Sequence, residues 1–185
     1  MESFADVRLA TARLVLRPLV PADAAALFAV FSDRRVMRYW SSAPWATPET
    51  AVELIAADRE ALAAGRHLRL GIVGRAEGAL LGTCSLFNLS GQCRRAEVGY
   101  GLGPEAWGQG YAVEAVGELL RFGFADLDLN RVEADVDPRN TASIHCLERL
   151  GFAREGLLRE RWIVAGEVTD SVIYGLLRRQ WQDRT

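Results

Sequence analysis

Along Arg13-Leu14-Val15-Leu16-Arg17-Pro18 the residues read as a short strand that proline closes. Pro21 then opens a helix with Asp23 in its first turn and apolar residues through Phe31. Met37 to Pro48, with Tyr39, Trp40, Trp45 and two prolines, follows no period and reads as a loop. Thr47-Pro48-Glu49 places proline at the first position of a second helix reaching about Ala64. Leu68 to Val73 and Ala79 to Asn88 are strands joined by a glycine-containing turn, the pattern of a hairpin.

Arg95 to Leu102 alternates again. Ala96, Val98, Tyr100 and Leu102 share one face, and Glu97, Gly99 and Gly101 share the other. Glycine inside a strand marks close approach, by a ligand or by a helix packed over it. A glycine-rich turn, Gly103 to Tyr111, leads into a helix from about Ala112 to Leu127, where Ala112, Val116, Leu119 and Gly123 recur at helical spacing. Arg131 to Asp137 is a strand with Val132, Ala134 and Val136 on one face and Glu133, Asp135 and Asp137 on the other. Asn140 caps a short helix that Gly151 ends, and Phe152 to Arg161 with Val168 to Leu177 form a closing antiparallel pair. Strands interleaved with helices imply one α/β (α+β) domain over residues 1–185, with no linker or repeat.

Composition narrows the chemistry. The 22 basic residues are all arginine, which excludes a Schiff-base lysine and a P-loop lysine. A net charge of -2 with mixed signs offers no nucleic-acid groove. Three cysteines (Cys84, Cys93, Cys146) and two separated histidines (His67, His145) lack metal-ligand spacing, so no metal is expected and reduced thiols are the default. Cys146 reads as a packed thiol and His145 as a helix-surface residue. No apolar run reaches the length of a membrane span, and the first six residues lack the regions of a secretory signal. A cytoplasmic protein is the expectation.

The strand–turn–helix at Leu102 to Ala112 is the strongest local signal. Gly108 and Gly110 let backbone approach a ligand, and amides at a helix start form an anion site, so a phosphate-bearing ligand is expected. Gly103 and Gly108 have P-loop spacing, but Gln109-Gly110 stands where Lys-Ser/Thr should follow. A dinucleotide fingerprint fails too, because Ala106 holds the third-glycine position.

Pro104-Glu105-Ala106-Trp107-Gly108-Gln109-Gly110-Tyr111-Ala112, followed by Glu114-Ala115, resembles the pyrophosphate loop of the GNAT acetyltransferases, Gln/Arg-x-x-Gly-x-Gly/Ala. Trp107 replaces the Gln/Arg, as is usual in the RimJ/RimL-like branch (ribosomal-protein-alanine acetyltransferase-like). Asn140-Thr141-Ala142-Ser143 with Glu148-Arg149-Leu150-Gly151-Phe152 resembles that branch's second segment. Thr11 to Arg17, and Gly166 to Asp170 with Tyr174, agree in order. The resemblance implies a single-domain GNAT fold: a mixed, strongly twisted sheet with helices on both faces and CoA between two splayed strands. It also implies that backbone of the Leu102 strand holds the pantetheine and that amides of Trp107, Gly108, Gln109, Gly110, Tyr111 and Ala112 hold the pyrophosphate. Asn140 and Ser143 would flank the arm near its sulfur.

Acetyl-CoA is therefore the expected donor, and the expected reaction is direct transfer to a primary amine without a covalent intermediate. The preferred acceptor is the α-amine of a peptide amino terminus or an amino acid. A small-molecule amine or antibiotic is the alternative, and a non-catalytic acyl-CoA-binding module is the rival class. Many GNAT enzymes protonate the leaving thiolate from a tyrosine four residues after Ser143, where this chain has Leu147. Ser143 is the substitute hydrogen-bond donor, or else a serine bonded within its own helix. Glu97 is the candidate base, or else a strand carboxylate paired with Arg95 or a neighbouring strand. Glu133, Asp135 and Asp137 are solvated or attract a cationic amine. Trp40 and Trp45 line the acceptor side or pack in the core or a lid, and the closing strand pair offers a contact for a homodimer.

Overall fold

Side-chain alternation along the strands separates two apolar layers. In the computed structural model, which describes residues 3–182, the elements run β1 (Leu9–Ala10), β2 (Leu14–Arg17), α1 (Ala24–Ser32), α2 (Arg34–Met37), α3 (Glu49–Ala63), β3 (Leu68–Gly74), β4 (Leu80–Ser90) and β5 (Arg95–Leu102). They continue with α4 (Tyr111–Ala125), β6 (Arg131–Val136), α5 (Thr141–Arg149), β7 (Ala153–Val164), β8 (Glu167–Leu177) and α6 (Arg178–Gln182). The eight described strands form one sheet in the order β1-β2-β3-β4-β5-β6-β8-β7.

Leu68, Leu70 and Ile72 of β3, Ala96 and Val98 of β5, Val132 and Ala134 of β6, and Tyr174 and Leu176 of β8 turn one face into the main core. α4 covers that face with Ala115, Val116, Leu119, Leu120 and Phe124. Each such leucine contributes roughly 1.5–3 kcal/mol by leaving water. A second core, built from Leu19, Leu27, Val30, Phe31, Ala51 and Ile55, holds α1 and α3 against the opposite face. Helices therefore flank both faces.

Most elements fall where periodicity places them, and the departures have local causes. Pro21–Asp23 is a 3-10 turn preceding α1, because the Asp23 carboxylate folds back to accept from the Val20 amide (2.8 Å) and pairs with Arg17 (2.7 Å). Pro48 is the cap before α3 and not its first helical residue. The irregular stretch begins only after α2, whose cap Asp33 accepts from the Arg35 amide at 2.7 Å. β7 runs past Arg161 to Val164. Two-residue β1 and terminal α6 are too short for any period to reveal.

The topology prepares a site at the centre of the sheet. β5 and β6 are parallel, and their pairing spans only Arg95↔Arg131, Ala96↔Val132 and Glu97↔Glu133. Beyond that point β5 stays with β4 as far as Gly82↔Leu102, while β6 follows β8 as far as Val136↔Val172. The two strands therefore splay, and Val98–Leu102 faces Ala134–Val136 across a gap. Gly82 keeps β4 against the diverging strand, since a Cβ there would lie 2.0 Å from the Gly101 carbonyl oxygen.

Candidate active site

At the mouth of the splay, β5 passes through the Pro104–Ala106 turn into α4. Gly108 (φ 72°) and Gly110 (φ 77°) both adopt left-handed backbone, which glycine enters without steric cost. Among the described residues, the amides of Gly108 to Val113 have no protein acceptor, whereas the Trp107 amide, expected among them, closes the preceding turn by donating to the Pro104 carbonyl (3.2 Å). A helix start leaves its first amides unpaired, and here the glycine turn lengthens that row into an anion cradle. A dual clasp fixes it to β2. Glu114 accepts from Thr11 Oγ1 (2.5 Å), the Arg13 amide (2.9 Å) and Arg13 Nε (2.6 Å), and Arg13 Nη1 donates to the Gln109 carbonyl (3.0 Å). Burial opposes ionisation of Glu114, but these donors outweigh it and hold its carboxyl below the usual range. Trp107 is exposed, and its indole donates to the Leu102 carbonyl (2.8 Å), tying the loop to the end of β5.

The splay opens into a cavity of about 1240 Å³. Glu97, Asn140 and Ser143 line it together, whereas Leu102 at the end of β5 and the loop Trp107 to Ala112, which carries the cradle, lie outside this lining. Asn140 is the cap of α5: its Oδ1 accepts from the Ser143 amide (3.1 Å). Glu97 accepts from Asn88 Nδ2 (3.0 Å), and Arg95 reaches Glu133 instead (2.5 Å). Neither glycine of β5 lies under a helix backbone. A Cβ at Gly99 would meet Phe87 at 3.2 Å, and one at Gly101 would meet Trp40 at 2.8 Å and Phe31 at 3.3 Å. Trp40 stands edge-on to Phe31 (5.2 Å) and Trp45 tilts over it (5.0 Å), so both tryptophans pack on the second core and line the cavity.

The three carboxylates of the β6 face are engaged: Glu133 with Arg95 and Arg131, Asp135 with Ser171 Oγ, and Asp137 with Arg139 (2.6 Å). His67, with Phe87 beside it, is driven down to about 4 by burial and then by the charge of Arg69, so its imidazole is neutral at pH 7.

Sequence reasoning missed Tyr100. Alternation places it on one face of β5 with Ala96, Val98 and Leu102, yet its hydroxyl crosses the splay to lie 2.8 Å from Ser143 Oγ and 3.2 Å from the Ser143 carbonyl. Burial pushes its phenol well above the ordinary tyrosine range. A tyrosine at an otherwise small or aliphatic strand face was the available signal.

A sheet opened between two parallel strands, with an amide cradle at its mouth and a large cavity beneath, defines an acyltransferase of the N-acetyltransferase class. Residues 13–153 match the acetyltransferase (GNAT) domain, and the chain belongs to that family. An uncharacterized N-acetyltransferase, p20 of Bacillus licheniformis, is 37% identical over 94% of this chain and 97% of its own length. The ribosomal-protein-S5-alanine acetyltransferase of Vibrio fischeri superposes with a TM-score of 0.81 at 25% identity, over 95% of this chain and 99% of that one, in keeping with the RimJ/RimL-like branch. A spermidine N-acetyltransferase from Vibrio cholerae, solved with CoA and spermine, shares the fold with a TM-score of 0.82 at 24% identity, over 93% and 99% of the two chains. No described helix is long and apolar enough to cross a membrane.

Proposed function

We propose that this enzyme transfers the acetyl group of acetyl-CoA directly to an α-amine, that of a peptide amino terminus or an amino acid. The observation that carries this reading is the titratable lining of the cavity. Among the described lining residues, Arg34, Arg38, Arg69, Arg139 and Arg161 stand against Glu97, Asp135, Asp137 and Glu167. A surface with five cations and four anions does not select a polycation such as spermidine, and it accommodates an acceptor that carries carbonyl or carboxylate groups beside its amine. The one imidazole in the lining titrates at about 4 and cannot strip a strongly basic amine at pH 7. An α-amine, with a pKa of about 7.7–8.0, is partly neutral already. Freeing a lysine near 10.4 at pH 7 costs roughly 4–5 kcal/mol.

In this reading the amides of Gly108 to Ala112 bind the pyrophosphate, and the unpaired edge of β5 after Glu97 takes the pantetheine. A free β5 amide stabilises the charge that grows on the thioester oxygen. Glu97 accepts the proton of the incoming ammonium, directly or through water. As the C–S bond breaks, a second amine proton moves to the sulfur through the Ser143 hydroxyl, which leaves amide and CoA thiol with no external acid.

The test is competition between matched peptides, one with a free amino terminus and blocked lysine, the other reversed, with products mapped by mass spectrometry. Amino-terminal acetylation is expected to dominate at pH 7, and dominance of the lysine product would refute the acceptor assignment. Absence of CoA release with every amine tried would favour a binding module instead.

A further inference from the structure

We infer that Tyr100 is a positioning residue for the transfer step: its hydroxyl reaches across the splay from β5 and holds Ser143 in the orientation from which it donates to the CoA sulfur. The inference rests on the proposed role of Ser143 and adds to it a residue from a different strand.

The geometry around Ser143 is specified from two sides. Asn140 Oδ1 takes its amide at 3.1 Å and fixes the first turn of α5. Tyr100, 43 residues earlier in the chain, meets its Oγ at 2.8 Å. Both residues line the cavity, with Leu147 beside them at the position where other GNAT enzymes carry a tyrosine. The phenol therefore enters from the sheet and not from the helix.

Hydrogen accounting gives the function. The Tyr100 hydroxyl neighbours Ser143 Oγ at 2.8 Å, where either oxygen can be the donor, the Ser143 carbonyl at 3.2 Å, and the Cys146 thiol. With Tyr100 as donor to the nearer Oγ, the serine's own hydrogen is free to point elsewhere; with Ser143 as donor, the Tyr100 hydrogen goes to the Ser143 carbonyl instead. A first-turn serine ordinarily turns that hydrogen onto a carbonyl of its own helix. Among the described residues, Ser143 Oγ makes no such bond, and Tyr100 is its side-chain partner. In the first of these arrangements, the one the inference requires, the serine hydrogen is available in the splay, where the thioester sulfur lies when the pantetheine follows β5. Burial keeps the phenol protonated, so Tyr100 orients the serine without surrendering its proton. The transferred proton remains the amine's own.

A tyrosine that merely packs would lower activity independently of Ser143. The experiment is a double-mutant cycle with Tyr100→Phe, Ser143→Ala and the pair, measuring kcat and the KM for acetyl-CoA. Tyr100→Phe keeps the ring, and the double variant removes the hydroxyl that the single variant would strand, so folding is guarded at both corners. Expected are a fall of about 10-fold in kcat for each single variant, no further fall in the double, and KM values within about twofold of the parent. Multiplying effects, near 100-fold in the double, would overturn the coupling while leaving the Ser143 role intact. A kcat unchanged by Tyr100→Phe beside a drop in Ser143→Ala would overturn it too. If Ser143→Ala itself is silent, the Ser143 assignment fails and the inference falls with it.

Discussion

Gly110→Asp is the sharpest probe of the anion cradle. Gly110 sits at φ 77° as the residue before α4, and a Cβ there meets nothing nearer than Arg13 Nη2 at 3.7 Å. The substitution therefore fits sterically and is charged only with left-handed backbone strain, about 1 kcal/mol. Aspartate at a helix cap recovers part of that, since its carboxylate accepts from first-turn amides. The fold should survive with a small change in Tm. Binding should not. The same carboxylate occupies the amides that would receive a pyrophosphate and adds a negative charge about one ion-pair distance away. Two such charges at 4 Å repel by roughly 4 kcal/mol at an effective dielectric of 20. Screening and side-chain rotation reduce this, so a loss of at least about 10-fold in acetyl-CoA affinity, ~1.4 kcal/mol, is a conservative expectation. Gly110→Ala supplies the control: it carries the backbone strain without the charge and should bind markedly better than the aspartate variant. Isothermal calorimetry at low and high salt separates the contributions, because the charge penalty shrinks as the Debye length falls. An aspartate variant that is folded and binds acetyl-CoA as tightly as the parent would remove the cradle from the mechanism.

Two further outcomes follow from the opposite side of the sheet. Gly101→Ala places a methyl group 2.8 Å from Trp40 and 3.3 Å from Phe31; the acceptor KM should rise several-fold with acetyl-CoA affinity near that of the parent, as steady-state kinetics would show. His67, held at about 4 in the folded protein against about 6.5 unfolded, binds its proton first in the unfolded chain. Its contribution is therefore present above pH 6.5 and is lost as pH falls towards 4, up to about 3 kcal/mol. Tm measured across that window should flatten in His67→Gln, and an identical slope in the two proteins would contradict the burial of the imidazole.

Local chemistry in the sequence located the strand, glycine turn and helix that start at Arg95, running the helix to about Leu127 where it ends at Ala125, and the Asn140 cap, because each depends on residues within a few positions of one another. Gly108 and Gly110 announce left-handed backbone, and Asn140 announces its bond to the amide three residues on. What stayed hidden depends on distance along the chain. The Tyr100 hydroxyl finds its partner 43 residues away, and strand periodicity records only that the ring points inward. Gly99 and Gly101 signalled close approach without saying what approaches. The answer, Phe87, Phe31 and Trp40, comes in turn from β4, from α1 and from the stretch that showed no period. The splay was carried by resemblance alone, since pairing that stops after Glu97 and Glu133 leaves no mark on alternation.

That interrupted pairing also divides the sheet mechanically. β1 to β5 form one leaf and β6, β8 and β7 another, joined by three residue pairs at a single end. The hinge is riveted by charge: Arg95 and Arg131 both grip Glu133, and Arg131 also grips Glu155 on β7. Each leaf is braced independently by its own antiparallel ladders, so force applied in the gap concentrates on those three pairs. A donor lodged there would act as a spacer that supplies the absent rungs of the ladder, making the two leaves move as one body until the thiol product departs.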